Sequence, residues 1–95
     1  MKHQRHFENV SRTAVRETAT IENMIADLQR VVAVLDCDVS TEEERAQVRD
    51  RSDARYPILA RHLAARRDNL RVTIATLEAR LSSTSANVFG IATAA

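Results

Sequence analysis

One proline, Pro57, and one glycine, Gly90, are the only residues of their kinds in a chain of 95. A backbone with so few turn formers has little means of reversing direction, so long helices are what it can build. Ala, Arg, Glu and Leu, all strong helix formers, are abundant in the remainder. The predicted class is all-α, and the length allows a single helical domain over 1–95. A chain this short buries a small share of its surface and is marginally stable by itself. With Phe7, Tyr56 and Phe89 as its aromatic residues, its core has to be aliphatic.

Periodicity then divides the chain. At about 100° per residue from Phe7, the side chains of Val10, Ala14, Ile21, Ile25, Leu28, Val32 and Leu35 share one arc, which Met24 and Val31 widen. This predicts a first helix over about 7–36. The stretch from Asp36 to Glu44 is rich in acids and holds no base. Ser40 with Glu43, and Thr41 with Glu44, fit a capping box, and acids favour a helix N-terminus. An acidic capped turn is therefore expected over 37–41, followed by a second helix over about 41–82. Its apolar lane is Val48, Tyr56, Leu59, Leu63, Leu70, Ile74, Leu77 and Leu81. Pro57 falls inside that lane without changing its phase, which favours a kinked continuous helix. A three-helix chain broken near Pro57 is the alternative. The Ser- and Thr-rich end, SSTSANVFGIATAA, predicts a flexible tail over 83–95.

An antiparallel hairpin closing at residues 38 and 39 would set Ile25 against Ser52, Leu28 against Arg49 and Val32 against Arg45. Its two best apolar surfaces would miss each other. Each aliphatic side chain from Ile21 to Leu35 is worth ~1.5–3 kcal/mol when buried, so leaving the set wet is untenable for a small domain. The expected remedy is a homodimer or higher oligomer, a four-helix bundle in which the second helix of one chain covers the first helix of the other. Its interface would comprise Ile21, Met24, Ile25, Leu28, Val31, Val32, Leu35, Leu63, Leu70, Ile74, Leu77 and Leu81.

Chemistry is harder to find. Net charge is +1, so nothing global calls for nucleic acid. Cys37 is the sole cysteine, the first residues hold no apolar leader, and no apolar run approaches the ~20 residues of a membrane span, so a cytoplasmic setting is expected. His3, His6, His62 and Cys37 are too scattered for a metal site, and no spacing points to a cofactor. Glu17 lies within the first helix's arc, where an ion pair with an arginine of the second helix is expected; no acid or His is spaced to work with it catalytically. The chain is therefore expected not to be an enzyme.

Arg51, Arg55, His62 and Arg66 recur at helical spacing along one edge of the second lane, with Arg80 on the same edge. They could contact nucleic acid or an acidic partner, or simply flank a bundle, where Arg stems cover apolar surface. Scarce lysine and no interleaved aromatics favour the flank. Helical-hairpin secretion substrates carry a Trp-x-Gly turn, and this chain has no Trp. All-helical chorismate mutases need lysine in their sites, and the sole lysine here is Lys2. The leading expectation is a small helical protein–protein interaction module, of an adaptor, antiactivator or chaperone-like kind. A dimeric nucleic-acid-binding hairpin is the alternative.

Overall fold

The computed structural model describes the backbone of residues 2–89 and the side chains from 12 to 84. It contains two helices, α1 over Lys2–Ala46 and α2 over Ile58–Phe89, packed against each other as an all-helical hairpin. Contacts divide the chain into two units. One joins α1 up to Ala26 with α2 from Ala75 onward, and the other runs from Asp27 to Ile74.

The inward face of α1 is a seam. Ile21, Ile25, Leu28, Val32, Leu35 and Val39 follow one another at alternating steps of four and three, which holds a lane on one side of a helix. Ile21, Ile25, Leu35 and Val39 are buried, and Leu28 and Val32 half-buried. On α2 the same alternation gives Ala60, Leu63, Arg67, Leu70, Ile74, Leu77 and Leu81. Ala60 and Ile74 are buried and the others half-buried. Ala64, beside Ala60, is buried too; small side chains here let two helix backbones approach closely.

The turn is not where the acidic run suggested. Residues 37–41 are helical, and α1 passes through them because Val39 extends the buried seam. Thr41 does not cap a helix; its Oγ1 donates back to the Cys37 carbonyl at 3.0 Å, as threonine does inside helices. The helix ends instead at Gln47, whose φ is 57°. The Gln47 N–H donates to the Glu44 carbonyl and the Val48 N–H to the Glu43 carbonyl, both at 3.2 Å. This is the Schellman pattern, which satisfies two carbonyls that a helix end leaves orphaned, usually with glycine at the left-handed position. Acids close to a helix C-terminus oppose its dipole. Nearby donors offset them: Arg45 lies 3.4 Å from Glu42, Arg49 lies 3.7 Å from Glu44, and the Tyr56 hydroxyl donates to Glu43 at 2.8 Å.

Nor does Pro57 kink a helix. It stands immediately before α2, and its carbonyl accepts the Arg61 N–H at 3.1 Å to open the helical ladder. Proline is tolerated there because the missing N–H would have had no helical partner. The connection 47–57 holds turns and bends, so the three-helix alternative is not formed either. Asp50 and Asp53 head two successive turns. Backbone bonds of 3.0 Å run from Asp53 N to the Asp50 carbonyl and from Tyr56 N to the Asp53 carbonyl. Their carboxylates accept the Ser52 and Arg55 N–H groups at 2.9 and 2.8 Å, which is how aspartate imitates a backbone turn. Val48 and Tyr56 fold beneath this loop with Ala60 as a small buried cluster.

Moving the turn shifts the helical register and corrects in part the expectation that Ile21–Leu35 lack cover: Ile21, Ile25 and Leu35 are buried, while Met24 and Val31 stay exposed. In the unit from Asp27 to Ile74, Asp36 meets Arg67 at 2.9 Å, so Val32, one turn earlier, comes level with the turn holding Leu70 and Arg71. In the other unit Glu17 meets Arg80 at 2.9 Å, as expected of Glu17, and Ile21 comes level with Leu77. The chain thus supplies part of the cover for its own seam. The flexible tail expected over 83–95 is helical as far as Phe89, and 90–95 lie outside the described residues.

Two substitutions test how α1 ends and α2 begins. Gln47→Gly removes the left-handed penalty and should raise stability by about 0.5–1 kcal/mol in urea unfolding. Pro57→Ala should lower it by about 0.4–1 kcal/mol through a freer unfolded chain, whereas a proline inside a helix would yield a gain of about 3 kcal/mol on replacement.

Candidate interaction surface

In the unit from Asp27 to Ile74, the two sides of the seam differ in chemistry. One side is charged. Arg67 occupies a seam position with its side chain only 13% exposed. Its Nη1 donates to Asp36 at 2.9 Å and its Nε to Asp68 at 3.2 Å. Arg71 reaches the same Asp36 at 3.2 Å, and Arg51 approaches Asp68 at 3.7 Å from the loop. Burial by itself would lower the Arg67 pKa, but the hydrogen bonds that Arg67 donates to Asp36 and Asp68 outweigh it and hold that pKa above its usual value. A partly buried charge needs such partners to be tolerable.

Tyr56 closes this side at the loop end. Its ring is buried, its hydroxyl donates to Glu43, and the Arg61 guanidinium lies 5.5 Å from the ring centroid. Arg61 also donates to the Arg51 carbonyl at 3.0 Å, tying α2 to the loop. Desolvation first, then the bond to Glu43, pushes the Tyr56 pKa up. Asp50 and Asp53 move the other way, each held below the ordinary aspartate value by bonds from Ser52 and Arg55 respectively.

The opposite side sets leucines of α2 against polar residues of α1. Asp38, Thr41 and Glu42 of α1 and Leu59 and Leu63 of α2 line a shallow cleft of about 250 Å³. Leu59 is 54% exposed although it belongs to the predicted apolar lane. Val31, seven residues before Asp38, is 37% exposed, and Leu70, seven residues after Leu63, is half-buried. These spacings place both on the lanes that border the cleft. Ile58 and Val72 are exposed on α2 as well.

The predicted interface residues therefore separate. Ile21, Ile25, Leu35 and Ile74 are buried within the single chain, whereas Met24 and Val31 remain exposed. The basic stripe does not lie along one helix. Arg51 and Arg55 are loop residues, Arg51 facing Asp68 and Arg55 paired with Asp53 at 3.1 Å, while His62 and Arg66 are exposed on α2. The side chains of His3 and His6 lie outside those described. Cys37 is exposed in α1 rather than in a turn. Among the described residues no group of three metal-ligating side chains converges, and no helix is long and apolar enough to cross a membrane. Ala60, Ala64, Val39 and Arg67 were not foreseen as inward-facing. Val39 was hidden by the acids around it, and Arg67 by its charge. No family model, curated protein or solved structure matches the chain.

Tyr56 is the sole tyrosine and the chain has no tryptophan, so its ionisation can be followed by absorbance alone. Its raised pKa means that its stabilising contribution is complete below the ordinary tyrosine value and is lost as pH rises through its own higher one. The expected result is a tyrosinate midpoint above that of a free tyrosine, with the melting temperature falling across it. Tyr56→Phe should cost about 1–2 kcal/mol and flatten the alkaline fall.

Proposed function

We propose that this chain is a small helical protein–protein interaction module that assembles with another helical surface into a four-helix bundle. Two helices enclose little volume, and the bundle is how helix pairs usually complete their cover. The observation that carries the reading is on the cleft side of the Asp27–Ile74 unit, where Leu59 stands 54% exposed in the cleft that it lines with Leu63, and Val31 is exposed farther along α1. Exposed aliphatic surface of this kind, rimmed by polar residues, is characteristic of interaction sites. Adaptor, antiactivator and chaperone-like roles all operate through such a face. Nucleic-acid binding has less support, since Arg51 and Arg55 direct their charges to Asp68 and Asp53.

Association is the test. The wild-type chain should sediment as a dimer or higher oligomer at micromolar concentration. Leu59→Asp should shift it to monomer with helicity retained, because that side chain lies largely outside the hairpin's own core. A wild-type chain that stays monomeric throughout the micromolar range contradicts the assembly. Tight binding to mixed RNA or DNA at physiological salt, falling steeply as salt rises, would move the assignment to the basic reading.

A further inference from the structure

We propose that the cleft side of the Asp27–Ile74 unit receives a second copy of this same chain, with Asp38 pairing to the partner's Arg66. This rests on the self-assembly reading above and names the surface, the partner and the contact that orients it. Most charges in this unit are already matched. Arg67 and Arg71 meet Asp36 and Asp68, Arg51 meets Asp68, and Arg55 meets Asp53. Asp38 and Arg66 are different: both are exposed, and neither forms an ion pair among the described residues. They flank the apolar strip from its two edges, Asp38 on α1 and Arg66 on α2, with Leu59, Leu63 and Leu70 sharing the Arg66 lane.

Their heights make the strip self-complementary. Asp36 reaches Arg67, and Asp38 lines the cleft with Leu63, so Asp38 and Arg66 stand at nearly the same level along the hairpin. A two-fold axis parallel to the helices turns a second copy face to face without changing that level. The partner's α1 then lies over this α2, and Asp38 arrives opposite the partner's Arg66 while Arg66 arrives opposite the partner's Asp38. One operation satisfies both charges and brings Leu70 nearly level with the partner's Val31 in both copies; such reciprocity is the defining property of an isologous interface. A purely basic partner helix would leave Arg66 opposed by like charge, and a purely acidic one would do the same to Asp38. A second copy brings one of each to the right place. Such pairing orients the interface, while the apolar strip supplies the area.

Charge exchange in the full chain tests the pairing. Asp38→Arg and Arg66→Asp should each weaken self-association by about tenfold or more, since like charges then face each other twice per dimer. Both positions are exposed, so circular dichroism should show helicity unchanged. The double variant, Asp38→Arg with Arg66→Asp, should recover wild-type association, and an equimolar mixture of the two single variants should form the mixed dimer in preference to either pure one. If the wild type associates but both single variants associate equally well, this surface is wrong and the assembly reading stands. A double variant no better than its parents also overturns the pairing. A monomeric wild type overturns both.

Discussion

An arginine placed in the seam between two helices has to find a carboxylate, and Arg67 finds Asp36. The seam around it is otherwise aliphatic or alanine, so any arrangement that left this guanidinium unpaired would carry a heavy desolvation cost. The choice is narrow because of what stands one heptad to either side of Asp36. Gln29 offers no charge, and Glu43 already accepts the Tyr56 hydroxyl. A single polar residue at a seam position is a known way to select one register among several of similar hydrophobic content. Arg71 and Asp68 extend the pair into a small network along that side of the unit.

The length of α1 is the second constraint, and it is coupled to the first. Asp36 can face Arg67 only if the chain continues beyond it for several more turns before reversing. That continuation runs through Glu42, Glu43 and Glu44 toward a helix C-terminus, against the usual preference for cations there. Arg45, Arg49 and Tyr56 make it tolerable, and Gln47 in a left-handed conformation ends it. The loop then turns on Asp50 and Asp53, and Pro57 delivers the chain into α2.

Much of this was legible from residue spacing. The all-helical class, the hairpin, the inward arc from Ile21 to Leu35 and the pairing of Glu17 with a second-helix arginine all follow from helical periodicity. The reversal point did not, for a definite physical reason. Ser40, Thr41 and the three glutamates carry the chemistry of a helix start, whereas the real helix end lacks the glycine that normally announces it. Local preference pointed to 37–41, and the buried position of Val39 with the pairing of Asp36 overrode it. The misplaced turn also led to Pro57 being read as a kink and the seam as uncovered. For the candidate surface, Leu63 and Val31 were named from the lane, but the matched heights of Asp38 and Arg66 depend on a register that spacing along one helix does not contain.

Helix α1 runs unbroken to Ala46, and the chain reverses between residues 47 and 57. Backbone chemical shifts measure this directly, because ¹³Cα resonances move in a characteristic direction in helices. A continuous helical signature is expected through residues 37–46, lost from Val48 to Tyr56 and resuming at Ile58. A break at residues 37–41, followed by helical shifts from Glu42 through Tyr56, would contradict it.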